Sequence, residues 1–567
     1  MTALALSLND NDEKHQSQPL TFKKWAYVLG SILLVWSALG FYKTKPALVT
    51  NFETSSSAPK CPTSPKFEIK EHEQIQYILH DEGFRNKSAG VFGAALQVDT
   101  VVYDVMPDYS KFAKFHEYLE KHFPLVYKTA KVHKVNQYGL IFEFAGKNPN
   151  LKPIMLTAHQ DTVPIGDPSD WSEDPFSGRY DGKEVHGRGA SDCKNLLVGL
   201  MEAMEKFIED GKVDFERGVL LAFGFDEEKS GFDGARKIGE YLVDYLGKDS
   251  VFFIVDEGPN MCTETMGDYY GMLITGEKGY VDLVANIVTP GGHSSLPKDH
   301  TSIGMMSYFL TSYEDEMYQS VLPDQNPLLA TFECAAEQGH LPDSVRSVAL
   351  TARDNTVAKE KLIDYIEQDW LLKYDIRTSQ AIDIVYGGDK ANSLPRNVTA
   401  YINHRIAYGN SVDTVFDKAL KYAKLTAEKF GIGLTFHGRP ILPKTENGLM
   451  VLDYFGELLS PAATTPVWGD AWDTLTGNMR AFYEEEVYPG KFHPGAAQNY
   501  IIAPSVMTAN TDTRHYWDLT GNIFKSTPGV SNLFDYMPHG PNEAIDMNSH
   551  LNVVAFYYNF FASALDH

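Results

Sequence analysis

The sequence predicts an α/β protein: a mixed sheet sandwiched by helices, interrupted by a smaller inserted α+β domain. The first observation is a set of short apolar runs at 153–157, 218–225 and 251–255, separated by stretches of helical spacing at 196–208 and 235–246. Runs of that kind suit parallel strands covered on both faces, and their alternation with helices suits a sheet layered between helices. The second observation is a change of character near Gly279. Residues 280–288 alternate like a half-exposed strand, 299–313 read as helix, 398–406 as strand, 412–430 as helix and 433–436 as strand. Two strand–helix–strand units form the split βαβ, ferredoxin-like arrangement. The insertion is therefore read as 279–437, with a long irregular excursion at about 320–390, between sheet-domain segments 67–278 and 438–567.

The N-terminal region has a different composition. Residues 25–42 form an uncharged apolar run of 18 residues, preceded by Lys23 and Lys24 and followed by Lys43 and Lys45. That length is at the short end of the roughly 17–25 residues of a membrane span, and Trp25, Trp36 and Tyr42 suit its interfaces. The run is read as a transmembrane signal anchor, with residues 1–24 as a cytosolic tail and the Pro/Ser/Thr-rich 43–66 as a stalk. The alternative is a cleaved signal peptide, with Ala38 and Gly40 near the cut. The flanking lysines balance and leave orientation open. Asn86-Lys87-Ser88 and Asn397-Val398-Thr399 are glycosylation sequons, which favour a lumenal body.

A chain of 567 residues with 43% apolar content can build more than one core. Its net charge of −25, without a Lys/Arg stripe, argues against a nucleic-acid partner. Four cysteines (Cys61, Cys193, Cys262 and Cys334) make no disulfide scaffold and no structural zinc spacing. Cys262 and Cys334 could bridge in an oxidising lumen. Neither GxSxG nor HExxH occurs, which disfavours a serine hydrolase and a single-zinc protease of that type.

Five segments place an acid or histidine after an apolar run. They are Leu156-Thr157-Ala158-His159-Gln160-Asp161, His186-Gly187-Arg188-Gly189-Ala190-Ser191-Asp192, Phe223-Gly224-Phe225-Asp226-Glu227-Glu228, Ile254-Val255-Asp256-Glu257-Gly258 and Met537-Pro538-His539-Gly540. Ligands of open α/β sheets gather beyond the carboxyl ends of strands. Taken singly, each segment has an ordinary reading. Asp192 would cap a helix, Glu227 and Glu228 would be solvated loop acids, Asp256 a loop carboxylate and His539 a surface histidine. Taken together, they supply two imidazoles, a carboxylate to share and terminal carboxylates, the set that a pair of divalent metals needs.

The order His-x-Asp, Gly-Arg-Gly-x-x-Asp-x-Lys, Asp-Glu-Glu-x-x-Gly, Asp-Glu-Gly and a late His-Gly resembles the M20 family of di-zinc peptidases. Within that family it resembles the membrane-anchored vacuolar Gly-X carboxypeptidases. Relatives that make or cleave N-fatty-acyl amino acids are also similar. The resemblance covers roughly 70–567. It implies a membrane-anchored hydrolase with its body in a vacuolar or lysosome-like lumen, acting on short peptides or, alternatively, on N-acyl amino acids. It implies two zinc ions, with cobalt or manganese able to replace one. Asp192 would bridge them, His159 and Asp256 would complete one site, and Glu228 and His539 the other. Asp161 would orient His159, Glu227 would be general base and then acid, and the Asp192–Cys193 peptide would be cis. The insertion would act as a lid and as a homodimer contact. Its His293, in Gly291-Gly292-His293-Ser294-Ser295, would polarise the scissile carbonyl, often from the partner subunit. Asn392 and Arg405 would grip the substrate's free carboxylate, for which the Arg fork is suited.

Overall fold

A computed structural model describes residues 59–566, apart from 104 and 531–537. The large sheet has nine strands. Its path runs Lys131–Val135, Gly139–Phe144, Val219–Gly224, Ile154–His159, Ile254–Asn260, Ile523–Thr527, Asp268–Glu277, Tyr500–Met507, with Thr263–Thr265 pairing off Asp268–Glu277. Ile154–His159 lies parallel to both Val219–Gly224 and Ile254–Asn260. Every residue of the first two is buried. Ile154, Leu156, Val219, Leu221 and Phe223 enter one core, while Met155, Leu220 and Ala222 enter another on the opposite face. Side chains alternate across a strand, so two covered faces produce the uninterrupted apolar runs seen in the sequence.

The larger core lies under helix Lys194–Glu209 and helix Met547–Ser563, which pack on one another. Gly199 permits that approach, since a Cβ there would stand 2.5 Å from Val553 Cγ1. Helix Ala235–Leu246 covers the other face through Ala235, Ile238 and Leu242.

The second sheet has six strands in the order Ala381–Gly387, Asn397–Ile406, Gly279–Val288, Leu449–Leu459, Gly433–Phe436, Arg439–Leu442. Helices Ser302–Asp315 and Val412–Phe430 cover its apolar face, where Val281, Leu283, Ala285 and Ile287 alternate inward. Helix Val412–Phe430 has the predicted bounds, set by a capping box between Ser411 and Thr414 and by Gly431 in the left-handed region.

The structure departs from the sequence reading in several places. Leu449–Leu459 pairs antiparallel with Gly279–Val288 from Val288↔Leu449 to Tyr280↔Leu459, so the inserted sheet extends past residue 437 to Leu459. The excursion at 320–390 is largely regular. It contains helices Pro327–Gln338, Asp343–Thr351, Thr356–Ile366 and Lys373–Ile376, and the first packs on Tyr500–Met507 of the large sheet. Residues 60–66, read as stalk, are docked on the body: Cys61 and Ser64 are buried, and Ser64 Oγ donates to Asp473 Oδ1 at 2.6 Å. Cys334 bridges to Cys61 and not to Cys262, which is a buried free thiol. Glu337, on the helix carrying Cys334, accepts the backbone N–H groups of Lys60 and Cys61 at 2.7 and 2.8 Å and holds that segment beside it.

The expected localisation is also corrected. Among the described residues no helix is long and apolar enough to cross a membrane. The span read at 25–42 lies outside the described residues. The reading of a single-pass membrane protein with a lumenal body is therefore not carried forward.

Candidate metal centre

The strand ends of the large sheet deliver the site. His159 is the last residue of Ile154–His159, and Glu227 and Glu228 form the turn after Val219–Gly224. Glu257 follows the buried first three residues of Ile254–Asn260. Asp192 follows a turn in which Gly189 takes φ +89°, and a Cβ there would sit 2.7 Å from Thr162 Cγ2. The Asp192–Cys193 peptide is cis, as the resemblance implied. His539 comes from a turn ahead of Ala544–Asp546 and has φ +66°.

His159 is buried, and its Nδ1 faces the Asp161 carbonyl at 3.0 Å and Asp161 Oδ1 at 3.3 Å. With Nδ1–H donated there, Nε2 keeps a lone pair for a cation. Nε2 lies 3.0 Å from Asp192 Oδ1 and 3.4 Å from Glu257 Oε1. The other Asp192 oxygen, Oδ2, lies 3.1 Å from His539 Nε2, which in turn stands 3.4 Å from Glu228 Oε2. One carboxylate therefore lies between two imidazoles, each with a further glutamate. Asp161 accepts the backbone N–H groups of Glu227 and Glu228, both at 3.1 Å, and so fixes the turn that carries them.

Asp192, Glu227, Glu228 and Glu257 crowd together. Among the described residues no lysine or arginine lies within 4.0 Å of any of them. Burial, then the charge of Asp192, pushes Glu228 up to about 7. Burial also pushes Glu257 up to about 7 and raises Glu227 well above the carboxylate range. Hydrogen bonding to Asp192 and then Glu228 raises His539 to about 10. Glu228 Oε1 is buried with no hydrogen-bond partner. Uncompensated buried carboxylates are costly. Divalent cations held by the oxygen and imidazole donors would relieve that cost, and the donor set suits zinc-like ions.

The sequence-predicted residues His159, Asp161, Asp192, Glu227, Glu228 and His539 thus come together, but Asp256 does not join them. Register sets Asp256 beside Thr157 on the neighbouring strand, and its Oδ1 accepts the Thr157 hydroxyl inside the sheet. Glu257 takes the place expected for Asp256. Strand pairing was the missing signal, because the sequence shows both acids but not the neighbour of either.

The lid residues separate into two groups. Arg405 pairs in register with Tyr280, its guanidinium lies 4.7 Å from that ring, and Nη1 donates to Asn510 Oδ1 at 3.0 Å. It has no carboxylate within 4.0 Å among the described residues; burial lowers its pKa, and the negative charges of Asp282 and, more weakly, Glu227 act against that. Asn510, which sequence reasoning missed, also donates to the Lys278 carbonyl at the base of the insertion at 2.7 Å. His293 and Asn392 are exposed on a ribbon formed by Gly292–His293 and Ser393–Leu394. His293 Nδ1 accepts from Ser295 N at 3.2 Å, and neither residue bonds to the clustered acids. Asn86 and Asn397 are both exposed.

Residues 155–362 match the model of peptidase family M20/M25/M40. Carboxypeptidase S of Saccharomyces cerevisiae is 37% identical over 522 residues, covering 89% of this chain and 88% of that protein. The chain belongs to this family. It is accordingly a hydrolase of the metallocarboxypeptidase type. The N-fatty-acyl-amino acid synthase/hydrolase of Bos taurus is a more distant M20 relative, 27% identical, with 83% of this chain and 86% of that protein covered. The solved structure of an M20 family metallo-carboxypeptidase from Sulfolobus solfataricus superposes with a TM-score of 0.57 at 13% identity, covering 84% of this chain and 99% of the other, which supports the fold.

Proposed function

We propose that this M20 protein releases the C-terminal residue of short, Gly-X-type peptides at a two-metal centre. The observation that carries the reading is the Asp192 carboxylate, which lies 3.0 and 3.1 Å from the Nε2 atoms of His159 and His539. His159, Asp192 and Glu257 would hold one ion and Asp192, Glu228 and His539 the other. Zinc is the natural occupant, with cobalt or manganese able to replace it in part. Such a pair supplies Lewis-acid polarisation of the scissile carbonyl and a more acidic water.

Glu227 binds neither ion in this scheme. Its raised proton affinity, caused first by burial, suits a group that takes the proton of the attacking water and returns it to the leaving nitrogen. Arg405 would receive the free carboxylate of the departing residue, because among the described residues no carboxylate lies within 4.0 Å of its guanidinium. His293 has no contact with the cluster in its own chain, as suits a residue serving the site of a second copy in a lid-mediated homodimer. Asn392 sits on the same ribbon and would assist from there.

An N-acyl amino acid, with the same free carboxylate and the same amide, is the second reading, to which Arg405 would be equally suited. Purified protein should release leucine from benzyloxycarbonyl-Gly-Leu faster than it releases phenylalanine from N-oleoyl-Phe. The reverse order would replace the first reading with the second, and cleavage of neither would refute both.

A further inference from the structure

Glu543 and Arg188 form a buried ion pair that the reaction scheme does not use. Each side chain is 1% exposed, and Arg188 Nη1 donates to Glu543 Oε2 at 2.6 Å. The remaining bonds of Glu543 all go to the turn that carries Asp192. Oε2 also accepts Gly189 N at 3.0 Å. Oε1 accepts Ser191 N at 2.7 Å, Ser191 Oγ at 2.8 Å and Asp192 N at 3.2 Å. The backbone carbonyl of Glu543 accepts Gly187 N at 2.9 Å. From the other side, Arg188 Nη2 reaches the His539 carbonyl at 3.3 Å and the Pro164 carbonyl at 3.4 Å, and the guanidinium lies 5.1 Å from the Trp171 ring.

A buried ion pair costs less when its remaining donors and acceptors are met. Here the Glu543 oxygens are met by the turn carrying Asp192 and Arg188 Nη2 by the His539 and Pro164 carbonyls, while Arg188 Nε is buried without a hydrogen-bond partner. His539 sits in a turn with φ +66° beside Gly540, half exposed, and has no strand or helix of its own to hold it. Its ring can oppose Glu228 only if its backbone is fixed with respect to Asp192.

We propose that Glu543 and Arg188 are positioning residues: Glu543 preorganises the shared Asp192 and so sets the affinity for both ions, whereas Arg188, through the His539 carbonyl, acts chiefly on the Asp192–Glu228–His539 half. The inference rests on the two-ion reading above. Partners behind metal ligands commonly govern about 10- to 100-fold in metal affinity.

The test is zinc binding by competition with a chromogenic chelator, on metal-stripped wild-type protein and on Glu543→Gln and Arg188→Lys. Glu543→Gln removes the charge opposite Arg188. Arg188→Lys keeps the pair but loses the fork that reaches His539. In Glu543→Gln both zinc ions should weaken about 10- to 100-fold, whereas in Arg188→Lys one zinc should weaken by that factor while the other keeps its wild-type affinity. If Glu543→Gln does not fold, Arg188→Lys alone decides the matter. Wild-type affinity for both ions in Glu543→Gln, or in Arg188→Lys either wild-type affinity for both or equal weakening of both, would overturn the inference. Wild type binding fewer than two zinc ions would instead overturn the two-ion reading.

Discussion

Asp161 Oδ1 accepts the backbone N–H of Glu227 at 3.1 Å, so the acid beside His159 also fixes the residue assigned to proton transfer. The same carboxylate accepts Glu228 N through its other oxygen. One buried side chain thereby couples the first imidazole to the turn bearing both glutamates.

Because Glu227 is held through its backbone, its side chain can be altered without disturbing the turn. Glu227→Gln should lower kcat at least ~10²-fold, the low end for a positioned general base. Metal content, read by elemental analysis, should stay at the wild-type level. Full activity with full metal content would remove Glu227 from the mechanism.

The contrast between Asp256 and Glu257 separates ligand from sheet interior. Glu257→Ala should weaken metal binding about 10²-fold or more and leave the folded state intact. Asp256→Ala should act chiefly on stability, because it leaves the buried Thr157 hydroxyl without its acceptor, at a cost of about 1–3 kcal/mol. Metal titration and thermal unfolding of the two variants check the division. The opposite pattern would restore Asp256 as ligand.

Arg405→Ala should raise KM about tenfold or more for substrates with a free C-terminal carboxylate. C-terminally amidated analogues should change little, since an amide does not engage the charged fork. Asn510→Ala should give a smaller rise, because Asn510 touches Arg405 and orients it. An unchanged KM in Arg405→Ala would refute the carboxylate grip.

Metal removal should make stability depend on pH. In the metal-free protein Glu228 and Glu257 are both raised to about 7, each first by burial. A carboxyl whose folded value lies above its unfolded value contributes stability at low pH and loses it as pH rises through the folded value. The chelated protein should therefore melt at progressively lower temperature as pH rises from the ordinary carboxylate range to about 8. Zinc should remove most of that slope. Thermal scans with and without chelator read this directly, and parallel slopes would contradict it.

The sequence revealed what local chemistry governs. The runs at Ile154–His159 and Val219–Gly224 were legible because both faces are covered. That His159, Asp192, Glu228 and His539 meet was legible in their order along the chain. Features decided by tertiary pairing were not. Glu257 takes the place expected for Asp256 because of strand register with Thr157. The strand Leu449–Leu459 was missed because it turns exposed residues such as Phe455 outward and breaks the alternation. The Cys61–Cys334 bridge spans 273 residues, and no local pattern marks its first partner. Glu543 stands in the sequence as an isolated acid, and only the folded turn shows its five donors.

The most direct test is the divalent-metal stoichiometry of catalytically active wild-type protein beside Asp192→Asn, measured by elemental analysis on the same preparations used for hydrolysis. A centre built around one shared carboxylate predicts two ions per active chain, and loss of both ions together with activity in the variant. Active wild-type protein with one ion or none, or Asp192→Asn that keeps both, would contradict it.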